Sequence, residues 1–327
     1  MTHGRIVESD FRPHPLLRNA HAQTVVPTLL RPLPTLTLDV ERWELDDGDF
    51  VDLGWFARPQ PGQPLAVLVH GLTGGFESKY LRGTARQLMQ RGWAGLILQL
   101  RGAGDTPNRL ARNYHQGDTA DLRALLGRLR AQYPDAMVAN IGWSLGGNIT
   151  LKAAAEGGAD HPADLVVAVS VPFQLEPCAE RLREGVSRVY QRRLLGDLKA
   201  MAQRKAAHVR LPADVDLTSA MNAADFFAFD DAWTAPLNGF EDALDYYRRC
   251  ECGPLLQAIE KPCLIVHSQD DPFMRPQIIP TAQELAPQVE LELSRYGGHV
   301  GFVARTPAGA LDYWLERRIS SWLSSRL

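Results

Sequence analysis

Met137-Val138-Ala139-Asn140-Ile141 runs straight into Gly142-Trp143-Ser144-Leu145-Gly146, and an alanine- and leucine-rich stretch from Asn148 to Ala155 follows. The first segment has the short apolar run of a buried strand, and the last has the composition of a helix. Between them, G-x-S-x-G is the pattern of a sharp turn that presents a serine hydroxyl at a strand–helix junction. The pentapeptide alone also fits an ordinary Gly-Ser turn, so the flanks carry the assignment. A serine at such an elbow sits in a sparsely populated backbone conformation costing about 1–3 kcal/mol. Strand and helix then come too close for side chains two residues to either side, and glycines at 142 and 146 remove them. The helix N-terminus beside the hydroxyl favours developing negative charge. Ser144 is the candidate nucleophile.

A serine nucleophile needs a base and a carboxylate to orient it, which follow an elbow of this kind in the order Ser, Asp, His. Pro262 to His267 reads as a buried strand, and Ser268-Gln269-Asp270-Asp271-Pro272 as the turn after it. Asp271 precedes a proline and so leaves the strand in extended geometry, whereas its rival Asp270 suits bracing the turn. Val289-Glu290-Leu291-Glu292-Leu293 alternates as a later strand, and Tyr296-Gly297-Gly298-His299 leaves it through a glycine turn. His299 is the candidate general base and Asp271 its orienting partner. The apolar strand Leu65–Val69 ends in His70-Gly71-Leu72-Thr73-Gly74-Gly75, a loop suited to donating one backbone N–H to an oxyanion. Leu72 is the expected loop donor and Leu145 the second; His70, which precedes the serine, is expected to bond within its loop.

These segments resemble the YheT-like branch of the α/β-hydrolase superfamily, kin to the AB-hydrolase-domain esterases, over nearly the whole chain. The resemblance is carried by Phe11-Arg12-Pro13 through His21-Ala22-Gln23-Thr24, by His70-Gly71-Leu72, and by Arg101-Gly102-Ala103-Gly104 with Pro107-Asn108-Arg109. Tyr114-His115-Gln116-Gly117, the elbow with Gly147-Asn148, and Phe229-Asp230-Asp231 with Gly239-Phe240 extend it. Asp270-Asp271-Pro272-Phe273 and Gly297 to Phe302 complete it. It implies a charge relay of Ser144, Asp271 and His299. It also implies ester hydrolysis through an acyl-enzyme, with some relatives acting on acylglycerols or phospholipids and some passing the acyl group to alcohols.

The expected architecture is α/β: an α/β-hydrolase fold with a mostly parallel eight-stranded sheet, helices on both faces and an inserted helical cap. Strands are expected near 38–45, 50–57, 65–70, 94–100, 137–141, 165–171, 262–267 and 288–293, with helices near 79–91, 117–132 and 145–156. Residues 38–172 and 259–327 would form the catalytic domain and 173–258 the cap. Residues 1–37, rich in proline, would lie as an extended arm on the body, with no chemistry assigned. In the insertion, Arg181, Arg183, Arg188, Arg192, Arg193 and Lys199 make one basic first helix, read as a solvated face. Phe226, Phe227, Phe229 and Trp233 either roof an acyl pocket or form the cap's own core. Arg101, Asn108, Arg109 and His115 either shape the pocket or bond within their loop. The C-terminal stripe of Leu311, Trp314, Leu315, Ile319, Trp322 and Leu323 reads as core packing.

Of 327 residues, 45% are hydrophobic and 22% charged, with a formal charge of −3, which exerts no global pull toward nucleic acid or an anionic membrane. No apolar run approaches the roughly 20 residues of a membrane span, and Met1-Thr2-His3-Gly4-Arg5 lacks an apolar signal core, so a cytoplasmic location is expected. Cys178, Cys250, Cys252 and Cys263 fit neither a redox nor a zinc pattern and read as free thiols. His267, Asp270 and Asp271 are close enough in sequence to suggest a metal, but the relay assignment outweighs it; no metal or cofactor is expected. The partner expected is a small-molecule or lipid ester, turned over by a serine esterase. Acyl transfer to an alcohol, or ligand binding without catalysis on a hydrolase fold, are the alternatives.

Overall fold

Residues 2–327 are described by a computed structural model of the chain. It opens with strand β1 (Arg5–Glu8) and helix α1 (Ala20–Leu29), then the hairpin β2 (Asp39–Glu44) and β3 (Phe50–Ala57). Strand–helix alternation follows: β4 (Leu65–Val69), α2 (Lys79–Gln90), β5 (Ala94–Gln99), α3 (Ala120–Gln132), β6 (Val138–Trp143), α4 (Leu145–Gly157) and β7 (Leu165–Val169). A helical insert holds α5 (Leu175–Leu182), α6 (Ser187–Ala206), α7 (Leu217–Asn222), α8 (Phe226–Phe229), a π turn (Asp230–Thr234), α9 (Ala235–Leu237) and α10 (Ala243–Cys250). The chain then returns through β8 (Cys263–Ser268), β9 (Val289–Ser294), the short hairpin β10 (Val303–Arg305) and β11 (Leu311–Tyr313), and α11 (Trp314–Ser324).

The main sheet runs β1-β9-β8-β7-β6-β4-β5-β3-β2, with β3 antiparallel to both its neighbours and every other pairing parallel. Central strands are buried on both faces, which is why β4 and β7 read as unbroken apolar runs. Alternate residues of β4 serve opposite layers. Leu65, Val67 and Val69 pack under Leu122, Leu125 and Leu126 of α3 and Ile149 of α4; Ala66 and Leu68 face Leu81 and Leu88 of α2 and Ile319 and Trp322 of α11. The chain order departs in both directions from β4, to β5 on one side and β6 on the other, and that reversal opens a crevice at the strands' C-terminal ends.

The sheet has nine strands where eight were expected. The additional strand, β1, is only four residues long, is largely exposed, and pairs in parallel with β9 some 285 residues away, so its own sequence shows no alternation. The leading segment is also not extended throughout. Asn19 caps α1, its Oδ1 accepting the N–H groups of His21 at 2.9 Å and Ala22 at 3.3 Å. The basic first helix of the insert is two helices, α5 and α6, broken where Gly185 takes φ of 48°. The C-terminal stripe is buried except for Leu311, which lies on β11.

A buried ionic network fixes the loop after β5 and docks the insert on it. Arg101 spans Asp121 on α3, through bonds of 2.7 and 2.9 Å, and Asp47 and Asp49 in the β2–β3 turn, at 2.8 and 3.0 Å. Asn108 donates to Asp49, and Arg109 pairs with Glu44. From α6, Lys205 reaches into this loop, where its Nζ donates to Asn108 Oδ1, to Leu110 O at 2.7 Å and to Arg112 O at 3.2 Å. Replacing Lys205 by methionine would leave Asn108 Oδ1 unpaired at a buried junction and Leu110 O and Arg112 O with only the Asn108 Nδ2 donor, so Lys205→Met is expected to lower unfolding free energy by about 1–3 kcal/mol. Urea denaturation of the two proteins measures the loss.

Candidate active site

Ser144 lies between β6 and α4 with φ of 53° and ψ of −119°, a conformation that an L-residue adopts only under constraint. The constraint is contact. A Cβ on Gly142 would stand 2.1 Å from Gly146 O, and one on Gly146 would stand 2.4 Å from the carbonyl oxygens of Val69 and His70. The elbow therefore presses α4 against both β6 and the end of β4, and its backbone is anchored by the Ser144 N–H donating to Val169 O at 2.8 Å.

Three side chains from separate strand ends meet at the serine. Ser144 Oγ is 3.0 Å from His299 Nε2, and His299 Nδ1 is 2.8 Å from Asp271 Oδ2. With Nδ1–H donating to the carboxylate, Nε2 carries a lone pair directed at the serine hydroxyl, an arrangement able to accept its proton. Asp271 is buried, and its Oδ1 accepts the Phe273 N–H at 2.8 Å. Asp270 has a different place: its Oδ1 accepts the Gly298 N–H at 2.9 Å, bracing the histidine's loop, and burial raises its pKa. Phe273 lies flat on the His299 ring, with centroids 4.0 Å apart and planes at 5°.

The loop after β4 abuts the serine, since a Cβ on Gly71 would stand 3.3 Å from Ser144 Cβ. Two tyrosine hydroxyls tie down its neighbouring donors: Gly71 N–H bonds Tyr80 Oη at 2.9 Å, and Thr73 N–H bonds Tyr114 Oη at 3.0 Å. Among the described residues no acceptor engages the N–H groups of Leu72 and Leu145, and both residues line the same cavity as Ser144. His70 bonds within its surroundings, Nδ1 to Gly71 O at 2.7 Å and Nε2 accepting Leu100 N–H at 3.1 Å. Burial holds its pKa down to about 4.

All five non-glycine residues with left-handed φ among the described residues belong to this region: Thr73, Ser144, Ser170, Val300 and Phe302. Ser170 ends β7 and accepts the Val300 N–H on its Oγ at 3.1 Å. Strain of about 1–3 kcal/mol per residue is thus gathered at one place, the pattern that strained backbone follows at active sites and ligand clamps. Sequence reading assigned no role to Tyr80, Tyr114, Ser170 or Thr24, whose hydroxyls hold the loops; Tyr114, Thr24 and Phe273 stood inside the family-like segments without one.

Comparison with known proteins places the fold. A family model described as the alpha/beta hydrolase fold matches residues 64–306. The chain belongs to the α/β hydrolase family. Within it, "Putative esterase YheT" of Escherichia coli K12 is 43% identical over 98% of this chain and 94% of that protein. Human "Phospholipase ABHD3" is 25% identical, covering 92% of this chain and 75% of that protein. An esterase of Pyrococcus furiosus, Pf2001, shares the fold at a TM-score of 0.56 and 15% identity, covering 99% of this chain and 98% of that one.

The hydrolase has a cavity of about 930 Å³ at Ser144, bounded by the insert on one side and by α1 and α2 on the other. Phe226, Phe229 and Trp233 line it while also packing in the insert's core; Phe227 turns away to Tyr247 and Arg183. His115 lines the cavity, whereas Arg101 and Asn108 are consumed by the ionic network. Among the described residues, no helix is long and apolar enough to cross a membrane, and the four cysteines are buried and unpaired.

His267, at the end of β8, is fully buried against Phe173, and burial lowers its pKa from 6.5 to about 4. The neutral ring thus contributes stability that is complete above pH 6.5 and is lost as the pH falls from 6.5 toward 4. Asp118 and Asp230 act in the opposite sense, because burial raises them to about 6 and about 7. Comparing urea midpoints at pH 7 and pH 5 for the parent and His267→Gln isolates the histidine. The variant is expected to lose about 2 kcal/mol less over that interval.

Proposed function

We propose that this hydrolase is a serine esterase that cleaves carboxylic esters of short- to medium-chain acids, including acylglycerol-like lipids, through an acyl-enzyme on Ser144. The observation that carries the reading is the hydrogen-bonded relay from Ser144 Oγ through His299 to Asp271. Ser144 Oγ attacks the ester carbonyl carbon as His299 Nε2 takes its proton, and Asp271 steadies the imidazolium. The carbonyl oxygen gains negative charge and is met by the free N–H groups of Leu72 and Leu145, preorganised and without a competing acceptor. The ester C–O bond breaks as His299 returns the proton to the departing alcohol. Water then repeats the sequence on the acyl-enzyme, releasing the acid and restoring the serine. Every group required is a side chain or backbone N–H of this chain, so the reaction runs without a cofactor.

The cavity supports an apolar acyl substrate. Leu175, Leu182, Leu198, Phe226, Phe229 and Trp233 line it from residues 173–258, which on this reading serve as the cap over the catalytic domain. The names given to the E. coli and human relatives, an esterase and a phospholipase, support the same reaction class. With p-nitrophenyl esters, turnover is expected to rise from acetate to medium-chain esters, each added methylene being worth up to about 0.8 kcal/mol while the chain fits; strict acetate preference would contradict an apolar acyl site under the insert. Ser144→Ala should reduce kcat by about 10⁴-fold or more, and a fluorophosphonate should label the parent once, at Ser144. An unlabelled protein would instead be a binding protein on this fold.

A further inference from the structure

The leading segment reaches the active site, and no motif reading gave it a task. We propose that Thr24, held in place by Gln23, is a positioning residue for His299, so that the N-terminal helix sets the relay's geometry. This rests on the esterase reading.

The loop from Gly297 to Phe302 leaves β9 and carries His299 into the site. It holds left-handed backbone at Gly298 (φ 58°), Val300 (φ 62°) and Phe302 (φ 43°), and a β-branched residue such as Val300 resists that conformation strongly. Such a loop keeps its shape only while its surroundings over-determine it. The catalytic body supplies three ties: Asp270 to the Gly298 N–H, Ser268 Oγ to the Gly298 carbonyl, and Ser170 Oγ to the Val300 N–H. They grip the peptides on either side of His299 through Gly298 and Val300, but none of them engages the His299 N–H. The His299 N–H donates to Thr24 Oγ1 at 2.9 Å.

Thr24 is in turn fixed. Its hydroxyl donates to Ala20 O at 2.8 Å, leaving its lone pairs toward His299. The preceding residue, Gln23, is fully buried and clamps the far end of the loop: its Oε1 accepts the Val303 N–H at 2.6 Å and its Nε2 donates to Val303 O at 3.0 Å and Leu17 O at 2.7 Å. Backbone contact seals the joint. Pro27 lies four residues beyond Gln23 in α1 and has no N–H, so the Gln23 carbonyl loses its helical donor. Gly301 fills that place so closely that a Cβ on it would stand 2.1 Å from the Gln23 oxygen; a Cβ on Gly298 would stand 2.5 Å from Ala20 O. Helix α1 is therefore a template against which the histidine loop is moulded.

Removing the Thr24 acceptor takes away one of the two bonds that fix the peptide between Gly298 and His299 and leaves its N–H without a partner, so the peptide tilts about the remaining Ser268 bond and the contact between Nε2 and Ser144 Oγ lengthens. Misplacement of a catalytic group by about 1 Å costs on the order of 100-fold in rate. With p-nitrophenyl butyrate, Thr24→Val should lower kcat by about 10- to 100-fold with KM within about threefold, and the rate of fluorophosphonate labelling at Ser144 should fall in parallel. Thr24→Ser, which retains the acceptor, should recover kcat to within about threefold of the parent. Parent kcat in Thr24→Val, equal losses in the serine and valine variants, or a loss confined to KM would overturn the proposal. If valine does not fold, Thr24→Ala takes its place. Failure of both to fold beside a folded serine variant also overturns it, since the hydroxyl would then serve folding alone. Ser144→Ala separates the levels: full turnover there removes the esterase reading, whereas its loss beside an unaffected Thr24→Val removes only the role of Thr24.

Discussion

Everything in this molecule depends on the pressing of α4 against β6 and the end of β4 around a serine that cannot relax. Glycines 142 and 146 make the approach possible, and the approach makes the left-handed serine obligatory. The geometry that strains the serine also exposes its hydroxyl and brings the Leu145 N–H to the foot of a helix dipole. The cost is met by what surrounds the turn. Both sheet faces are covered by leucine-rich helices, and burial of that size offsets several strained residues with ease.

The strain extends beyond the serine to every loop that must converge on it, and the holding groups share a chemistry. Tyr80, Tyr114, Ser170, Ser268 and Thr24 each use a hydroxyl to bond a main-chain N–H or C=O of the loops bearing Leu72 and His299. A hydroxyl both donates and accepts, so one side chain can satisfy an irregular backbone where no ladder exists. Around this centre the ionic network of Arg101, Asp49, Asp121 and Lys205 ties the insert to the body and thereby fixes the cavity's walls.

What could be read from sequence was what local chemistry announces. The elbow, its glycines and the apolar runs of β4, β6 and β7 state their structure within ten residues, and the pre-proline position of Asp271 distinguished it from Asp270. Strand β1 stayed hidden because a four-residue exposed segment has no period, and its only reason to be extended is β9. The break between α5 and α6 turned on one glycine, which helical patterning tolerates. Thr24 and Gln23 could not be placed by pattern: a threonine that caps a distant peptide looks like any threonine in a helix. The aromatic cluster was ambiguous for a real reason, since Phe226, Phe229 and Trp233 both line the cavity and build the insert's core.

The joint between α1 and the histidine loop also has a temporal meaning. Gln23 meets Val303 across 280 positions and Thr24 meets His299 across 275, so α1 finds its seat only once the segment after β9 is in place. Closing a span of that length is entropically demanding, as it is for the β1–β9 pairing, and belongs late in assembly. With the joint open, the elbow serine would stand without a seated imidazole. The contact that completes the fold is thus also the one that brings the imidazole to the candidate nucleophile.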